Sequence, residues 1–277
     1  MRTGRAAGAG SLAAVLLSAV LLTGCLGPAT PADQQEGKPA VAETAAPVAA
    51  TPDPVEAERS RRLEEAQDGF LWEDGYLYAI DKEGNLLRDS SVGVLYFAED
   101  GRYTSGDEKL DELVAEAIRE NTDSTMRRKK KLRTMYEYTR DNIKYVGFGN
   151  HDLSGKPAHG PEGWMAENAV KALEEGVGNC YHFAAMFTAL ARGLGYQAYA
   201  TAGIVGSMDD PHAWVEIVDE DGAVWFCDPE IEYRKLLWEL KSPDLFYRSW
   251  EDIEVDTGLN YRRSLNPFEA EGVFQEK

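Results

Sequence analysis

The stretch 178–195 constrains the fold more than any other part of the sequence. Gly176-Val177-Gly178 interrupts whatever comes before it, and Asn179 is a strong N-cap residue, which places Cys180 at the first helical position. Phe183, Met186, Phe187, Leu190 and Leu194 then recur at helical spacing as one apolar stripe, and Gly193 and Gly195 stop the helix. A helix of this kind needs a broad apolar surface to lie on. The next residues supply it, because 196–205, 212–218 and 223–228 each read as a strand, the last two joined by the turn Asp219-Glu220-Asp221-Gly222. The expectation is an α+β domain in which a Cys-bearing helix packs on an antiparallel sheet. Three more helices precede it. Leu110, Leu113, Val114, Ala117 and Ile118 share one face, residues 124–142 form a second helix, and a third covers about 164–175.

The register of that last hairpin decides what the domain can do. With Gly222 as a left-handed bulge residue, Asp219 faces Ala223, and His212 and Asp228 become diagonal neighbours on one face. A slip of one residue would send them to opposite faces. Cys180 at a helix start is favoured as a thiolate by the helix dipole, and the free N–H groups there can donate to an oxyanion. The plainer reading of Cys180 is a small buried apolar residue. A thiol, an imidazole and a carboxylate on converging elements form a nucleophile, a base and an orienter, so Cys180, His212 and Asp228 are the candidate catalytic residues. If Asp228 faces the site, Cys227 faces away, which argues against a Cys180–Cys227 disulfide. Cys180, His182, His212 and Asp228 lack zinc-site spacing, so neither a metal nor any other cofactor is expected. Trp164, Tyr181 and Trp214 are the substrate-cleft candidates, and His151 and His159 lie in the loop that leads to Trp164.

Towards the N-terminus the chain changes character. Arg2 and Arg5 precede an apolar run over 12–22 that is too short to span a bilayer comfortably, the form of an export signal. It ends in Leu22-Thr23-Gly24-Cys25, which resembles the lipobox of bacterial lipoproteins. That resemblance implies a signal peptide over 1–24, lipidation of Cys25, and attachment to the extracytoplasmic face of the cell membrane. Residues 25–66 are rich in Ala, Pro and Glu and read as a disordered tether reaching roughly 35 Å, with 56–67 charged enough to form a short helix. In 67–106, two aromatic runs followed by acidic-Gly turns predict a small β-hairpin appendage to the main domain, 107–277. The hairpins also resemble, weakly, the aromatic-Gly repeats of cell-wall-binding modules. The basic run Arg127-Arg128-Lys129-Lys130-Lys131 reads as a solvated helix face. A formal charge of -19 excludes a nucleic-acid surface as the main business of the chain.

Three segments together resemble the transglutaminase-like domain: Gly178-Asn179-Cys180, Pro211-His212-Ala213-Trp214-Val215, and Trp225-Phe226-Cys227-Asp228-Pro229. The resemblance covers roughly residues 107–233. It implies a papain-like α+β core, with Cys180 as nucleophile, His212 as general base and then acid, and Asp228 as orienter. It further implies a thiol enzyme that forms a Cys thioester with a peptide or carboxamide. With the location that the lipobox-like segment implies, the expectation is a monomeric cell-surface enzyme that hydrolyses an extracytoplasmic protein or cell-wall peptide. The family also contains protein cross-linkers and domains that have lost activity, so a cross-linking transglutaminase and a catalytically silent surface binding or scaffold protein attached to the cell wall are the alternatives.

Overall fold

The computed structural model describes residues 53–146, 161–206, 210–237, 244–257 and 259–263. The segment 1–24 read as a signal, Cys25, His151 and His159 lie outside them, as does the side chain of Trp164. Helix α1 (Pro54–Glu65) comes first, started by the Asp53 carboxylate accepting from the Val55 N–H at 2.9 Å and by a proline at the first helical position. It occupies the last dozen residues of the stretch read as tether. It is anchored at its C-terminal half, where Arg61 reaches Glu73 at 2.9 Å.

The appendage follows as a hairpin, β1 (Phe70–Glu73) with β2 (Tyr76–Ala79), and a three-stranded sheet, β3 (Ser90–Val92), β4 (Leu95–Phe97) and β5 (Tyr103–Thr104). Phe70, Leu77, Leu95, Phe97 and Tyr103 close a small apolar core between them. Helices α2 (Glu108–Asn121) and α3 (Arg128–Asn142) come next, then the short strand β6 (Lys144–Tyr145), α4 (Pro161–Glu175) and β7 (Val177–Gly178). Strands β6 and β7 pair in parallel. Helix α3 begins later than expected because Asp123 folds 123–126 into a turn, its carboxylate accepting from the Thr125 and Met126 N–H groups at 2.8 and 3.2 Å.

Helix α5 (Cys180–Gly193) is the axis of the molecule, and all fourteen of its residues are buried. The sequence shows one stripe, but Ala184, Ala185, Ala189 and Ala191 are small enough for α2, α3 and α4 to close on the other sides. Its remaining side rests on a five-stranded antiparallel sheet made from β8 (Gln197–Val205), β9 (Asp210–Val218), β10 (Val224–Cys227), β11 (Arg248–Ser249) and β12 (Tyr261–Arg263), in the order β11-β10-β9-β8-β12. Helices α6 (Pro229–Leu237) and α7 (Trp250–Thr257) complete the chain.

The β9–β10 register is the one Gly222 dictates. Val224 faces Val218, Cys227 faces Val215, the Asp219 N–H donates to the Ala223 carbonyl at 2.9 Å, and Gly222 has φ +84°. Alternation then sends Ala213, Val215, Ile217 and Cys227 into the core under α5, and Trp214 and Phe226 into a second core on the other face with Ile253 and Tyr261. The expected α+β architecture is therefore the observed one. Among the described residues no helix is long and apolar enough to cross a membrane.

Candidate active site

Asn179 sets the start of α5. Its side chain accepts from the Tyr181 N–H at 3.1 Å, and the His182 ring reaches back to the Asn179 N–H at 3.4 Å, closing a capping box. Cys180 is thereby fixed at the first helical position, only 2% exposed and not in a disulfide. His212, the third residue of β9, brings its imidazole within hydrogen-bonding reach of the Cys180 thiol. Its Nε2 lies 2.6 Å from Asp228 Oδ2. Burial pulls the His212 pKa down, but the Asp228 carboxylate and the Cys180 sulfur outweigh it and hold the imidazole well above its ordinary value.

Asp228 is held from four directions. Oδ2 takes the imidazole and the Tyr261 hydroxyl at 2.8 Å, while Oδ1 accepts from the Glu230 and Ile231 N–H groups at 3.1 and 3.0 Å as the cap of α6. The helix start that Asp228 caps thus fixes the carboxylate that orients His212. The Asp228-Pro229 pair signals such a start in the sequence, since Asp at the cap and Pro at the first position is a favoured helix opening. Nothing in the sequence signals Tyr261, which arrives from a strand on the far edge of the sheet.

Two further groups stand beside His212. Glu230 is fully buried, with Oε2 at 3.7 Å from His212 Nδ1 and Oε1 at 2.6 Å from Arg234 Nε. That approach to Arg234 is an ion-pair contact without hydrogen-bond alignment, and it leaves both Glu230 oxygens short of a well-directed donor. Burial pushes the Glu230 pKa up, His212 and Arg234 pull it back, and the balance is about 7. His212, Asp228 and Glu230 bring ligand-type atoms within 4.8 Å of one another. The Arg234 guanidinium already supplies a cation to Glu230 there, and His212 Nε2 is committed to Asp228, so the donor set suits ionic pairing better than a metal.

The cleft candidates fare differently. Trp214 is fully buried, its Nε1 donating to Glu216 at 2.9 Å and its ring packed edge-on against Trp250 and Tyr261. It is core and not a cleft wall, because β9 alternation turns it into the second core. Tyr181 is also buried, 8% exposed, and burial with the neighbouring Cys180 raises its pKa to about 12. It packs against the helices beside the thiol. Cys227 faces away from the site, its Sγ accepting from the Tyr247 N–H at 3.3 Å.

Residues 112–229 match the family model of the transglutaminase-like superfamily, a span that contains Cys180, His212 and Asp228 in that order. The match makes this stretch of the chain transglutaminase-like. A protein of Cytophaga hutchinsonii, provisionally named a cysteine protease, superposes on this chain with a TM-score of 0.34. The two are 19% identical, and the match covers 44% of this chain and 37% of that one, which is too remote to carry an argument. No curated protein sequence matches this one.

Proposed function

We propose that this protein is a thiol hydrolase acting by acyl transfer, with Cys180 as nucleophile, His212 as the proton carrier and Asp228 as its orienter. The observation that carries the reading is the 2.6 Å contact of His212 Nε2 with Asp228 Oδ2 in an imidazole whose other side meets the Cys180 thiol. In the first half-reaction the Cys180 sulfur bonds to the carbonyl carbon of a peptide or carboxamide, and the nitrogen leaves with the proton that His212 delivers. In the second half-reaction water gives a proton to His212, its oxygen attacks the thioester, and the sulfur leaves as thiolate. Water is the acceptor because it is always present, whereas transfer to an amine needs a site that concentrates the amine. The lipobox-like segment ending in Cys25 supports a place on the extracytoplasmic side of a membrane, and that location favours an extracytoplasmic protein or cell-wall peptide as substrate.

The test is site-resolved labelling with iodoacetamide. Cys180 should be modified, Cys180→Ala should show no label in its place, and His212→Ala should react at least about tenfold more slowly at neutral pH while melting normally. Equal rates in the wild type and His212→Ala would sink the reading.

A further inference from the structure

Arg234 lies one helical turn beyond Glu230 on α6, and its relation to the site differs from that of the other arginines paired with buried acids. Arg140 and Arg263 present their terminal nitrogens to acids, at 2.6 Å to Glu232 and 2.6 Å to Glu216. Arg234 instead approaches Glu230 through Nε, at 2.6 Å. Its guanidinium lies over the Tyr145 ring at 5.5 Å, a cation–π contact. Among the described residues no acceptor takes its terminal nitrogens, and the side chain remains 30% exposed, next to a carboxylate that is itself 3.7 Å from His212. A planar cation whose terminal nitrogens meet no acceptor among the described residues, and whose partner carboxylate lies 3.7 Å from His212, is suited to bind a carboxylate through two parallel hydrogen bonds. The setting makes this informative. In a chain of net charge -19, an acidic ligand is repelled by most of the surface, so a cation paired with the carboxylate next to His212 selects where such a ligand can settle.

We propose that Arg234 reads a carboxylate on the substrate, so that the preferred acyl donor carries an acidic group close to the carbonyl that Cys180 attacks. This rests on Cys180 being the nucleophile. Glu230 then acts as the positioning residue for Arg234 through its ion pair with Nε, and Tyr145 packs against the guanidinium. An acidic side chain or a free peptide C-terminus near the reactive carbonyl satisfies the requirement equally, and the two are separated by the probes below.

The experiment compares matched peptide probes that carry one thiol-reactive warhead and either a carboxylate or its carboxamide. One pair varies the side chain beside the warhead and a second pair varies the C-terminus. The readout is the ratio of labelling rates at Cys180, acid over amide, in the intact chain. The wild type should favour the acid member of one pair by about tenfold or more. Arg234→Gln should bring that ratio close to one. Arg234→Lys, which keeps a cation for Glu230 but loses the fork, should give an intermediate ratio, and it decides the matter alone if Arg234→Gln does not fold. A wild-type ratio near one in both pairs, or a full preference retained in the folded variants, would overturn the assignment of Arg234. Failure of iodoacetamide to modify Cys180 at all would instead overturn the nucleophile, so the two failures are distinct.

Discussion

His182 shows how much of the site depends on a residue that does no chemistry. It is fully buried, its Nδ1 accepts from the Asn179 N–H, and its Nε2 has no partner among the described residues. Burial, with a smaller contribution from Lys171, lowers its pKa to about 4. A depressed folded value means that His182 contributes stability above its unfolded pKa of about 6.5, and that this contribution is lost as pH falls through about 4. The contribution is at most about 3 kcal/mol. The difference in melting temperature between the wild type and His182→Gln should therefore narrow steadily from pH 7 to pH 4. A constant gap would mean that the ring is not buried neutral. Because His182 closes the cap on which Cys180 stands, the same acidification loosens the start of α5.

At the scale of elements, the basic run on α3 is more than the solvated face its composition suggests. Lys131 is buried with Nζ 4.1 Å over the Trp72 ring, and Arg128 lies over Phe70 and Tyr196 at 5.4 and 4.6 Å. Gln67 Oε1 accepts from the Arg128 N–H at 2.6 Å and so caps α3 from the appendage, in place of Arg127, which offers no cap of its own. Trp72 Nε1 donates to the Gly193 carbonyl at 3.0 Å. The β1–β2 turn seats against α2 through Gly75, which has φ +85° and where an added Cβ would sit 2.0 Å from the Ala115 carbonyl oxygen. Gly75→Ala should cost about 2 kcal/mol or more by strain and by lifting the hairpin from α2, read as a lowered melting temperature. An unchanged melt would show that the hairpin is not seated there.

For the whole molecule, these contacts make the appendage part of the domain's packing. Gln197, at the start of β8, ties Val92 and Val94 with hydrogen bonds of 2.9 and 2.8 Å, and the Phe70 ring lies where a Cβ on Gly195 would meet it at 3.0 Å. A chain that begins at Asp107 loses the cap of α3, the Trp72 bond and the cover over the end of α5. It should lack a cooperative thermal transition, and a sharp melt near that of the full chain would contradict this. Removing the hairpins thus tests folding before it tests any binding role they have.

Local rules account for a large part of this protein. The Asn179 cap, the apolar stripe of α5, the turn at Gly222 and the strict alternation of strands set a helix on an antiparallel sheet, and they put His212 and Asp228 on one face with Cys227 turned away. These are legible because each depends on neighbours within a few residues or on the parity of one short loop. The rest is decided by segments distant in sequence that share one volume. Tyr261 reaches Asp228 across 33 positions, Gln67 caps α3 across 61, and Trp214 is core only because α7 and β12 cover that face of the sheet. No spacing rule encodes such meetings. They follow from close packing, which brings together whichever polar groups lie nearest once the apolar faces are closed, and then requires each of them to find a partner.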